Sequence, residues 1–182
     1  MVESAKAFLK SKLVDWAESW LLNLRQEYRP ASRLLLPGEL SGLSGYFAPD
    51  LLAKVRVASV ETISNPPFFS NLPQLGLPTP WDFSADPGLA AVDTIIFSKP
   101  LMPEGRGLSI LFRECVHLQQ FQALGVSKFV NCYVQGLFKN GFDYAGLPME
   151  RQARDLQLRF DAGLKMFSVE REVEEAVLKG PV

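Results

Sequence analysis

The sequence predicts an α+β, mainly helical single domain with a small β-sheet, on three observations. Five stretches (3–28, 107–125, 127–140, 148–160 and 168–179) repeat their apolar residues at helical spacing, whereas only 54–63 and 92–98 read as strands. The chain has 182 residues, enough for one sizeable core and too few for two ordinary domains. Hydrophobic residues make up 47% and charged residues 21%, a globular balance that argues against disorder.

Taken in order, residues 3–28 form an amphipathic helix in which Leu9, Leu13, Trp16, Trp20 and Leu24 recur at spacings of three and four. Its two Trp suggest docking onto the core or onto a partner, and Arg29-Pro30 ends it. Pro37-Gly38, Ser41-Gly42 and Ser44-Gly45 predict turns over 30–50 rather than a long element. A strand follows over 54–63, with Val55, Val57 and Ser59 on one face and Arg56, Ala58 and Val60 on the other. Five prolines between 64 and 80, interspersed with Phe68, Phe69, Leu72 and Leu75, make an ordered apolar loop over the core. Residues 92–98 are a second strand, and Lys99-Pro100 with Pro103 leads into the next helix.

That helix, Gly107 to Gly125, is the centre of the chain. Leu108, Leu111, Phe112, Cys115 and Leu118 fall on one side, and Ile110, Arg113, His117, Phe121 and Leu124 on the other, with Glu114 at the edge. A helix apolar nearly all round belongs inside the protein, where the charges of Arg113, Glu114 and His117 need partners. After a tight corner at Gly125, Ser127 is placed to cap a helix through about Asn140, with Gly141 as its C-terminal cap. Pro148 suits the first turn of another helix with Met149, Ala153, Leu156 and Phe160 as its apolar stripe. Residues 168–179, dense in Glu, read as a short helix with a solvated face.

The net charge of -1 gives no reason to expect nucleic acid or an anionic membrane as partner. No run approaches the ~18 apolar residues of a membrane span, and residues 1–28 offer no secretory h-region. Cys115 and Cys132 lie within helical patterns and read as free buried thiols of a reducing compartment. A cytoplasmic protein is expected. Cys115 faces away from His117, which argues against a Cys–His pair.

Arg113-Glu114-Cys115-Val116-His117 matches H-E-x-x-H at all but its first position. That motif places two His one helical turn apart to bind zinc, with the Glu as general base on the metal-bound water. The surroundings extend the match: a strand and a Pro-containing loop before it, His117-Leu118-Gln119-Gln120 within it, an aromatic helix after it, then Tyr144 and Pro148-Met149-Glu150-Arg151-Gln152-Ala153. Over about residues 64 to 160 the chain resembles a group of small bacterial zincin-like proteins of metallopeptidase type, whose helix reads roughly HELxHxxQ and whose later E-R-x-A supplies a third ligand. The resemblance implies a zincin-like domain over 1–165, with 1–28 as its N-terminal helix, 64–160 as its core and 166–182 as a helical tail. It also implies that His117 and Glu150 are the metal ligands and Glu114 the general base. Tyr133 and Tyr144 are candidate oxyanion donors.

Arg113 stands where the first His ligand would be, and a guanidinium has five donors, no acceptor and a permanent charge. His117 is the only His in the chain. The expectation is therefore a degenerate zincin-like protein without hydrolytic activity and without a cofactor, its cleft kept as a structural or binding site. In this account Arg113 replaces the metal's charge by a bidentate pair with Glu150 or Glu114. Two alternatives stand beside it. One is a weak zinc-dependent peptidase using His117 and Glu150 as ligands and Glu114 as base. The other is a module that binds an unknown protein or peptide through the helix bearing Trp16 and Trp20. For single residues, His117 also reads as a core histidine, and Glu150 as a helix first-turn carboxylate favoured by the dipole.

Overall fold

The computed structural model describes residues 2–99 and 105–180. The linker expected at Pro100 to Pro103 lies outside the described residues. Helix α1 (Val2–Tyr28) is followed by short helices α2 (Pro37–Leu43) and α3 (Pro49–Leu52), and then by β1 (Arg56–Val60), β2 (Gly88–Ala91) and β3 (Thr94–Ser98). Four helices complete the order: α4 (Gly107–Leu124), α5 (Val126–Lys139), α6 (Pro148–Asp161) and α7 (Val169–Leu178). This is the α+β, mainly helical architecture with a small sheet that the periodicities predict.

The sheet has the order β1-β3-β2, β1 parallel and β2 antiparallel to β3. Both α1 and α4 pack on β2 and β3, and every residue of these two strands is buried. With both faces covered, Gly88-Leu89-Ala90-Ala91 shows no alternation, so β2 was not expected from sequence. The two-residue turn Val92-Asp93 joins β2 to β3 and holds Val92 at φ 64, which moves the start of the second predicted strand from 92 to 94. The alternation predicted for the first strand also fails: Val57 and Ala58 are both buried and Ser59 is exposed. Arg33 bridges Val57 on the side away from β3, so β1 has neighbours along both edges.

The turns predicted over 30–50 contain two short helices, each opened by a proline at its first position, where a missing N–H costs nothing. In α1 the stripe is selective. Leu13, Leu21 and Leu24 are buried, Trp20 packs on Phe83 with ring centroids 5.1 Å apart, and Trp16 remains 38% exposed beside Phe68. Ser127 is not the cap of α5. Gly125 takes that position at φ 73, ψ 160, a backbone conformation open to glycine, and the Ser127 hydroxyl donates to Glu18 at 2.7 Å, tying α5 to α1. Helix α5 ends as predicted, with Gly141 at φ 72 and Phe142 N–H donating to the Leu137 carbonyl.

Helix α4 is the hub, touching α2, α5, α6, α7 and the sheet, and Phe112, Cys115 and Val116 are fully buried on it. Helix α7 is more than a solvated tail. Val169 and Val173 are buried, α7 packs on α4, and Ser168 caps it by accepting from Arg171 N–H. No described helix is long and apolar enough to cross a membrane.

Candidate functional site

Helical spacing on α4 sets Arg113 and Glu114 one turn before His117, and the first turn of α6 brings Glu150 against them. Glu114, His117 and Glu150 are buried, at 2%, 6% and 8% exposure, so each needs a partner inside the protein.

Arg113 serves Glu114. Its Nε donates to Glu114 Oε1 at 3.0 Å, and Nη2 lies 2.9 Å from the same oxygen as an ion-pair contact. The expected bidentate fork is therefore a three-centre contact on one oxygen, and Glu150 has other partners. The neighbouring Glu114 carboxylate, outweighing partial burial, raises the guanidinium pKa further above its ordinary value, with Glu150 and Asp86 adding to the effect.

His117 and Glu150 form the second pair, with Nε2 and Oε2 3.6 Å apart, an ion-pair distance longer than a short hydrogen bond. Tyr133 donates its hydroxyl to Glu150 Oε1 at 2.7 Å, and the Tyr144 hydroxyl supports the same carboxylate. Burial alone would raise the Glu150 pKa, but His117 and the two tyrosines outweigh it and hold it at about 2. Burial likewise pulls His117 down while Glu150 pulls it up, and the net direction is up, as a charged pair requires. Burial, then Glu150, pushes both tyrosine hydroxyls well above the phenol range. Of these candidate oxyanion donors from sequence, Tyr133 commits its hydroxyl to Glu150, and Tyr144 also acts to lower the pKa of that carboxylate.

The tautomer of His117 follows from a chain of amides anchored on two backbone carbonyls. Gln152 Nε2 donates to the Glu172 carbonyl at 2.9 Å, which leaves Gln152 Oε1 to accept from Gln120 Nε2 at 2.9 Å. Gln120 Nε2 also donates to the Met149 carbonyl, so Gln120 Oε1 faces His117 Nδ1 at 2.9 Å. An acceptor there requires Nδ1–H. The ring then meets Glu150 through Nε2, and the attraction is greatest when Nε2 is protonated as well.

Asp86 completes the electrostatics from the loop before β2. Trp81 Nε1 donates to it, and Trp81 stacks on Tyr144. Burial raises its pKa to about 6, against the pull of Trp81 and Arg113 and with a push from Glu114 and Glu150. Sequence reasoning missed both Asp86 and Gln120. Gln120, three residues after His117, was detectable from i, i+3 spacing, whereas Asp86 sits in an aperiodic Pro-rich stretch that carries no such signal. Cys115 is fully buried, and burial pushes its thiol pKa up, consistent with an inert core thiol.

Above this floor lies a cavity of about 120 Å³ walled by aromatic and aliphatic side chains, among them Trp20, Phe83, Phe129 and Phe138. Glu114, His117, Tyr133 and Tyr144 line it from below.

The residues present do not fit the zinc ion that the resemblance implies. One imidazole and one carboxylate converge, but the position of the second imidazole holds a permanent cation without a lone pair. Among the described residues no three His, Cys, Asp or Glu side chains are grouped as a ligand set. Compared with known proteins, the chain matches no family model, no curated protein and no solved structure.

Proposed function

We propose that this chain is a degenerate zincin-like protein without hydrolytic activity, whose cleft is retained as a binding pocket for a small, largely apolar ligand. The observation that carries the reading is the contact of Arg113 with Glu114, a hydrogen bond and an ion-pair contact on one carboxylate oxygen. In a hydrolytic zincin that carboxylate would have to be free to take a proton from water. Here it faces a guanidinium whose charge is permanent. An apolar chamber with a few convergent polar groups at one end is the usual form of a small-molecule site.

Metal content after zinc loading and desalting, measured by elemental mass spectrometry, tests the reading. Little retained zinc is expected in the natural chain, with a gain in an Arg113→His variant. Near-stoichiometric zinc in the natural chain, lost on His117→Ala, would overturn it in favour of a zinc-dependent peptidase.

A further inference from the structure

The floor of the cavity is uneven in its hydrogen-bonding capacity. Tyr133 donates its hydroxyl to Glu150, Tyr144 also acts to lower the pKa of that carboxylate, and both ring nitrogens of His117 face acceptors, Gln120 and Glu150. Glu114 differs. Its Oε1 accepts from Arg113 Nε and faces Nη2, and among the described residues Oε2 accepts nothing, although the side chain lines the cavity. The other polar group of the lining, the Trp20 indole, also borders an outer groove. What the floor offers a ligand is therefore an acceptor.

Charge points the same way. Glu114, Glu150 and Asp86 act on one another through a largely dry region in which, among the described residues, Arg113 and His117 are the cationic side chains that face them. One more positive charge would balance the cluster, and a further carboxylate would deepen the imbalance. The walls suit the rest of such a ligand: aromatic faces favour both an apolar body and an adjacent ammonium.

We propose that the cavity takes an amphiphilic amine, its alkyl or aryl body among the aromatic side chains and its ammonium group on the free oxygen of Glu114. The assignment rests on reading the cleft as a non-hydrolytic binding pocket.

The test is calorimetric titration of the full chain with n-hexylammonium, 1-hexanol and hexanoate, after zinc content has been measured on the same preparation. Hexylammonium should bind at least about ten-fold more tightly than hexanoate, with hexanol between them, since one lost charge-assisted hydrogen bond is worth about that factor. Glu114→Gln should remove the preference for the amine and spare hexanol. Leu137→Trp, which fills the chamber from α5, should abolish binding of all three while circular dichroism stays native, and it serves if Glu114→Gln fails to fold. Hexanoate binding as well as the amine, no binding of the amine, or amine binding that survives Leu137→Trp would overturn the proposal. Stoichiometric zinc would instead overturn the reading beneath it, which separates the two failures.

Discussion

Two charge clusters in this molecule use the same residue types for different ends. In the first, Asp93 in the turn between β2 and β3 accepts from Arg25 through both oxygens, at 2.8 and 2.9 Å, and lies 2.9 Å from Arg29 Nη1 as an ion pair. Two cations serve one carboxylate that is 27% exposed, and despite partial burial they hold its pKa below the ordinary range. The result is a staple between α1 and the hairpin. In the second cluster, around α4, three carboxylates share two cations among the described residues, Glu114 Oε2 and Asp86 Oδ1 accept no hydrogen bond there, and a cavity opens beside Glu114. A partly solvated cluster with two cations on one carboxylate holds elements together, whereas a buried one with carboxylates in excess beside empty space can receive a ligand.

The comparison can be broken most severely at Glu150. Glu150→Ala strands His117 and the Tyr133 hydroxyl, and equilibrium urea unfolding should show a loss of about 3–5 kcal/mol, the range for removing one member of a buried pair. Gln120→Leu leaves His117 Nδ1–H and Gln152 Oε1 unpaired, and the same measurement should give a loss of about 2 kcal/mol. Asp93→Asn should cost no more than about 1 kcal/mol and show strong salt dependence, because the staple is partly solvated. A larger loss at Asp93 than at Glu150 would reverse the assignment of the two clusters.

The smallest effect sharpens the contrast through pH. Folded Asp86 binds its proton more tightly than an ordinary Asp, about 6 against 3.8, so its ionisation costs stability as pH rises through that window. Asp86→Asn should therefore raise the melting temperature at pH 7.5 and leave it nearly unchanged below pH 4. Glu150 has the opposite sign. Held at about 2 against 4.5, it contributes fully above pH 4.5 and loses that contribution as pH falls toward 2. Acid scans of the Glu150→Ala variant should accordingly be flatter than those of the natural chain in that range.

Much of this arrangement was legible in the sequence because helical periodicity is a strong signal. The all-round apolar pattern of 107–125 placed α4 inside, and the one-turn spacing of Arg113 and His117 put both at one site with Glu114. Strand β2 was hidden because burial on both faces erases alternation, and Ser127 misled because Gly125 caps α5 and frees the serine to bond Glu18. The partner of Arg113 was expected among two candidates, but only tertiary packing decides that Glu150 goes to His117 and Glu114 keeps the guanidinium. Asp86 reaches the site from a loop, where position depends on long-range contacts that local pattern does not encode.

Because His117 is the only histidine in the chain, its ring can be observed alone. The most direct measurement is nitrogen-15 NMR of the imidazole across pH in tag-free protein, with and without one equivalent of zinc. The account predicts a proton on Nδ1 throughout, an Nε2 that stays protonated above the ordinary titration point near pH 6.5, and no response of either nitrogen to zinc. A neutral ring at pH 6 whose Nε2 signal moves stoichiometrically with zinc would contradict it.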